Sequence, residues 1–173
     1  MNQKIQDEIR NFYFPSYQEI PDVGLYLEQT TDYINAILFP LTNEKITKSM
    51  ISNYVKKGLI SSPIKKKYNR DQIAILIYLA LAKTIVSLED IQLLLELKDL
   101  SYDNQTAFDY FKVEFENVLH YVFGIKDSLD SVGKDDTYPK SLLRSTIIAF
   151  AHKIYLNKSF KLLHEQMESS SKL

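Results

Sequence analysis

The segment 73–82 carries no charged residue, and its apolar side chains fall on every face of a helix. Such a helix has no wet side, so it must sit at the centre of a fold with other elements packed around it. It is far too short to cross a bilayer, which takes about 20 apolar residues. Only 4 Gly and 5 Pro occur in the 173 residues. A β-sandwich or barrel needs a turn signal every few residues, so a mainly all-α architecture is expected. The chain is long enough to bury a substantial core.

The flanking segments offer partners for that central helix. A polar start leads to Phe12-Tyr13-Phe14-Pro15, an aromatic plug ended by proline. Asp22 reads as the cap of a helix of about four turns that ends near Phe39-Pro40. Thr47 caps a helix over 48–57, with Met50, Ile51, Tyr54 and Val55 as its buried stripe. Gly58 stops it in the left-handed conformation, with Leu59 and Ile60 folding back. Ser61, Ser62 and Pro63 disfavour helix, and a hairpin, or wing, is expected over 60–68. Asn69 caps the central helix, and Ser87 with Asp90 opens the next. Phe108, Phe111, Phe115, Val118, Leu119, Val122 and Phe123 define a long amphipathic helix ending near Gly124. After a polar loop over 127–138, Pro139 suits the first turn of a last helix that frays from Glu168. The expected division is a helical preface at 1–40, a central unit at 41–98 and a C-terminal helical pair at 103–168 for dimerisation or effector binding.

Charge is segregated along the chain. Lys45, Lys48, Lys56, Lys57, Lys65, Lys66, Lys67 and Arg70 are the charged residues of 45–70, all cationic. The remainder holds 13 basic residues against all 22 acidic ones, a net of −9. A cationic island on an anionic body holds one face toward a polyanion and turns the rest away.

Other chemistry is poorly represented. Without cysteine there is no disulfide and no thiolate metal site. The start lacks the apolar core of a signal peptide, and a cytoplasmic protein is expected. No Gly-rich phosphate loop occurs. His120, His152 and His164 are widely spaced, and Glu114, Glu116 and Glu165 read as ordinary helix-surface carboxylates. No nucleophile stands beside a base, so neither an enzyme, a cofactor nor a metal site is expected. Tyr102, Phe108, Tyr110, Phe111, Phe115, Tyr121 and Phe123 form either plain core or a pocket for a small apolar effector; stripes at helical spacing usually pack.

Three short motifs resemble the DNA-binding domain of the MerR family over residues 41–95. Tyr54-Val55-Lys56-Lys57-Gly58-Leu59-Ile60 with Pro63 is similar to its Tyr-Glu-x-x-Gly-Leu-Ile-x-x-Pro. Tyr68-Asn69-Arg70-Asp71-Gln72-Ile73 resembles its Tyr-Ser-x-x-Asp-Ile, and Ser87-Leu88-Glu89-Asp90-Ile91 its Ser-Leu-Glu-Glu-Ile. The family's Arg-Tyr pair is Ser52-Asn53 here. The chain as a whole also resembles an uncharacterised family of Gram-positive bacterial proteins, through residues 15–29 and 50–70. The MerR likeness implies a winged helix-turn-helix with a C-terminal helical extension. It also implies backbone contacts from Lys66 and Tyr68, and dimerisation through the helix after the domain.

The expected function is therefore a sequence-specific DNA-binding transcriptional regulator, a homodimer on double-stranded DNA that needs no membrane. Lys48, Ser49, Ser52, Asn53 and Lys56 would face the major groove, where Asn53 could read adenine. Lys65, Lys66, Lys67, Tyr68 and Arg70 would grip the backbone, and Lys45 and Lys57 would add to the cationic face. The alternative is a helical protein-interaction module whose cationic face meets an acidic partner.

Overall fold

A computed structural model describes residues 3–133 and 136–170. Its centre is the expected apolar helix, α4 (Arg70–Ala82), in which Ile73, Leu76, Ile77 and Leu79 are wholly buried. Asn69 caps it reciprocally: its side chain accepts from the Gln72 N–H at 2.9 Å, and Gln72 Oε1 accepts from the Asn69 N–H at 2.8 Å. Around α4 lie α2 (Leu27–Thr42), α6 (Asn104–Val122) and α7 (Tyr138–Ser170). Three shorter helices complete the set among the described residues: α1 (Gln3–Arg10), α3 (Lys48–Lys56) and α5 (Leu88–Asp99). The architecture is mainly helical, with one small antiparallel sheet of β1 (Leu25–Tyr26) and β2 (Lys67–Tyr68).

Several boundaries differ from the sequence expectation. Asp22 does not cap α2; residues 25 and 26 first pair as a strand, and Tyr26 takes the N-cap position. Pro40 does not end α2 but lies in its last turn. The ring costs that turn one N–H bond. Continuing to Leu41, which is buried, offsets it, and Asn43 then closes the helix in the left-handed conformation at φ 57°. The polar start is itself a helix, α1, because Ile5 and Ile9 stand one turn apart and both enter the core. At the other end α7 is helical to Ser170, two residues past the expected fraying point at Glu168.

Residues of all three expected segments contribute to a common core. One cluster of buried side chains runs from Ile5 through Ile34, Ile51, Ile77 and Phe115 to Ile154. The aromatic plug explains why the preface is part of it. Phe14 is fully buried, stacked at 5.8 Å on Phe108 and meeting Phe111 and Phe115 edge to face at 5.6 and 5.4 Å. The phenylalanines of α6, Phe108, Phe111 and Phe115, are thus consumed inside the fold. They do not form an outward coiled-coil seam of the kind the MerR likeness implied.

Polar clamps fix the remaining helices. Lys158 of α7 is buried and donates to Glu8 Oε2 at 3.0 Å and to the Pro40 carbonyl at 3.3 Å. It thereby ties α7 to α1 and to the C-terminal end of α2, where a cation also suits the helix dipole. Glu114 on α6 is wholly buried, with Arg144 Nε of α7 at 2.9 Å from its Oε1. Burial pushes the Glu114 carboxyl up from its ordinary value, against the pull of Arg144. Sequence inspection had placed Glu114 on a solvated surface, and its burial corrects that. No helix among the described residues is long and apolar enough to cross a membrane.

Candidate nucleic-acid interface

Helix α3 forms where the sequence places it. The Thr47 side chain accepts from the Met50 N–H at 3.2 Å, and Ile51 and Tyr54 are buried beneath. Gly58, at φ 77°, then turns the chain back. The Leu59 N–H reaches the Tyr54 carbonyl and the Gly58 N–H reaches that of Val55, both at 3.0 Å, which satisfies two end carbonyls of the helix. With its inner stripe fixed, α3 turns Lys48, Ser49, Ser52, Asn53 and Lys56 outward, and all five are exposed. Lys57, just past the helix, is exposed as well.

The expected hairpin follows, and its turn is tight. Ile64 and Lys67 exchange backbone hydrogen bonds of 3.1 and 2.9 Å, so only Lys65 and Lys66 span the loop. Both have left-handed backbone, at φ 49° and 65°. That pair of angles matches the turn favoured by two-residue hairpins, a turn normally made with Asn-Gly. Two lysines there cost about 1–2 kcal/mol each relative to ordinary backbone. The result is a protruding tip that carries two cations and an isoleucine, Ile64, 72% exposed.

The hairpin is anchored from two directions. Its second strand pairs with the preface, Leu25 opposite Tyr68 and Tyr26 opposite Lys67. At its base, the buried amide of Gln72 donates to the Ser61 carbonyl at 2.9 Å, the Ser61 hydroxyl at 3.1 Å and the Ser62 carbonyl at 3.3 Å. Neither anchor was foreseen from sequence, since each depends on which partner the fold brings to a residue and not on that residue's own type.

Helix and hairpin converge at the start of α2. Lys48 Nζ lies 3.4 Å from Glu28 Oε1, and Lys67 Nζ sits 5.1 Å above the Tyr26 ring. The N-cap residue of α2, Tyr26, thus touches the hairpin, and Glu28 in its first turn touches the beginning of α3. The linker between α2 and α3 is held in line by Asn35, which accepts from the Ile46 N–H at 2.9 Å and donates to its carbonyl at 3.0 Å.

The proposed cations, together with Tyr68, divide into three groups. Lys56, Lys57, Lys65 and Lys66 are exposed and without an ion-pair partner among the described residues. Lys48 and Lys67 are on the same surface but engaged, as described. Three candidates are placed elsewhere. Lys45 lies over Phe39, 5.1 Å from its ring centroid. Phe39 is eleven residues along α2 from Glu28, about 16 Å at 1.5 Å per residue. Tyr68 is only 4% exposed and packs inward, where burial raises its hydroxyl pKa. Arg70 is turned into the preface: its Nε donates to the Ile20 carbonyl at 2.9 Å, and its other nitrogens reach the Gln18 side chain and carbonyl at 3.3 and 3.4 Å. Tyr68 and Arg70 are therefore structural, which corrects their assignment to backbone contacts. Tyr26, 51% exposed, and Ile64 belong to the surface and were missed, because neither carries charge.

A family model matches residues 15–115, that of a domain of unknown function, DUF1836. No MerR or helix-turn-helix family is detected, which overturns the MerR resemblance and the roles drawn from it. No curated protein and no solved structure matches the chain. The matched stretch runs from Pro15 at the end of the aromatic plug to Phe115 on α6, and so takes in α2, α3, the hairpin, α4 and α5. It covers more than half of the 173 residues, and the chain belongs to the DUF1836 family.

Proposed function

We propose that α3 and the Ile64–Lys67 hairpin form a duplex DNA-binding face, and that the protein acts as a transcriptional regulator. The observation that carries this proposal is the convergence of the two elements on Tyr26 and Glu28, which sets the polar face of a short helix beside a cationic hairpin tip. In that arrangement Ser49, Ser52 and Asn53 are offered to base edges, and Lys56, Lys57, Lys65 and Lys66 to phosphates. Ile64 stands beside the two turn lysines, where an apolar side chain could enter a minor groove. Glu28 opposes this function, since its carboxylate already neutralises Lys48. Pairing of two copies is supported by Leu156, Phe160, Leu163 and Met167 on α7. They recur at spacings of four, three and four residues and are all about half exposed or more. That is the rhythm of a coiled-coil seam.

Gel-shift titration with a pool of random duplex DNA tests the assignment. The wild-type chain should retain duplex at ~100 mM salt, with two chains per bound fragment and a steep salt dependence. Changing Lys56, Lys57, Lys65 and Lys66 together to Gln should lower the slope of log affinity against log salt by roughly one per lysine. Absence of duplex binding by a folded wild-type chain would sink the assignment and favour an acidic protein partner.

A further inference from the structure

The Ile64–Lys67 pair adds one further rung to the small sheet of β1 and β2. Ile64 and Lys67 exchange both backbone hydrogen bonds, and Lys67 in turn stands opposite Tyr26. Residues directly opposite one another in antiparallel strands project from the same side. Tyr26, Lys67 and Ile64 therefore form one outward row, and the Lys67 ammonium indeed lies above the Tyr26 ring. Tyr68 and Leu25 alternate to the other side, where both pack on the core. Ile64 ends the row at the turn, exposed, and the exposed Lys65 and Lys66 follow it directly.

The row is backed on every side. A two-residue loop leaves the tip no slack, and the Gln72 amide holds its base through Ser61 and Ser62. Behind Lys67 the preface comes close at Gly24, which has φ 75°; a Cβ there would stand 3.1 Å from the Lys67 Cβ. A side chain on a pliant loop folds aside under load, whereas Ile64 is mounted so that it can push.

Magnitudes decide what it pushes into. Burying one isoleucine is worth roughly 10–100-fold in a binding constant. That is too little to hold a bilayer, where even a whole myristoyl chain binds only marginally. The exposed cations around it, Lys56, Lys57, Lys65 and Lys66, fit the two phosphate chains of a duplex. An apolar side chain entering from the minor groove unstacks a base step, at a cost of the same order as that burial. Gain and cost balance only where stacking yields easily, which is at pyrimidine–purine steps.

We infer that Ile64 is a wedge that enters the minor groove at a flexible pyrimidine–purine step and bends the duplex. The inference rests on the DNA-binding reading above and adds to it a preferred substrate, a deformable duplex chosen without base-edge contacts from the tip. Lys65 and Lys66 then meet the phosphates at the rim of the opened groove.

Two short duplexes of identical composition test this with the full chain, one with a central TA step and one with AT in the same flanks. The minor groove offers the same acceptors in either order, so a preference between them reports deformability. Gel-shift titration reads affinity, and energy transfer between dyes on the duplex ends reads the bend. The wild-type chain should bind the TA duplex at least ~5-fold more tightly and draw its ends together. Ile64→Ala should lose both the preference and the bend, with the salt dependence unchanged because no cation is lost. Ile64→Leu should keep both. The side chain is exposed, so the variants should melt as the wild type does. Bend and preference that survive in Ile64→Ala, or wild-type binding without a bend, overturn the wedge and leave the DNA-binding reading standing. Binding of neither duplex overturns both.

Discussion

Arg70 Nε donates to the carbonyl of Ile20 across fifty residues of sequence, at 2.9 Å. The same guanidinium stacks 5.4 Å above the Tyr17 ring and lies 3.9 Å from Asp22. One side chain at the start of the central helix therefore fastens the segment 17–22 over it.

Removing that fastening should cost stability more than it costs any binding. Arg70→Ala is expected to lower the unfolding free energy by about 2–3 kcal/mol, since a hydrogen bond to a charged group is worth about 1.5–3. Arg70→Lys should recover little, because a point charge cannot reproduce the fork that meets Ile20 and Gln18 together. Urea unfolding of the three proteins checks this. Equal stability of wild type and Arg70→Ala would mean that the contact contributes nothing.

The left-handed turn allows charge to be separated from fold. Lys65→Asn with Lys66→Gly places the preferred turn residues where two lysines are strained. The double variant should be more stable than wild type by about 1 kcal/mol or more. It should also bind duplex DNA more weakly, because two exposed cations are gone. Chemical denaturation and the gel shift, run on the same preparation, read both. A variant that is more stable and binds equally well would remove the hairpin tip from the interface.

Alkaline pH should loosen the same preface by a different route. The Tyr17 hydroxyl is pushed up to about 12, first by burial and then by its 2.6 Å hydrogen bond to Asp71. The unfolded tyrosine loses its proton near 10, while the folded one keeps it to about 12. The stabilisation is therefore whole below pH 10 and is lost as pH rises through 12. Tyr17→Phe should flatten the fall in the urea midpoint between about pH 9 and 11.5. A fall of equal steepness in the variant would assign the effect to the other buried tyrosines.

Local signals were the legible part of this chain. The stop at Gly58, the caps Thr47 and Asn69, and the all-round apolar stretch of α4 are each decided within one or two turns of helix, and the structure has them as expected. What could not be read depended on distant partners. Arg70 and Lys65 are both cations in one basic run, yet one is claimed by Ile20 and Gln18 and the other by nothing described. Pro40 looked like a helix stop because sequence does not reveal that Leu41 has a core to enter. Short motifs shared with MerR proteins misled for a related reason. A cap, a left-handed glycine and a turn are general solutions to ending and starting helices, so they recur without kinship.

The pairing of residues 25 and 26 with 67 and 68 has a mechanical consequence. A load applied at the loop tip passes straight to the leading segment of the polypeptide, and from there through Phe14 to α6. Trimming the chain ahead of Leu27 would leave the tip as a cantilever held at one end.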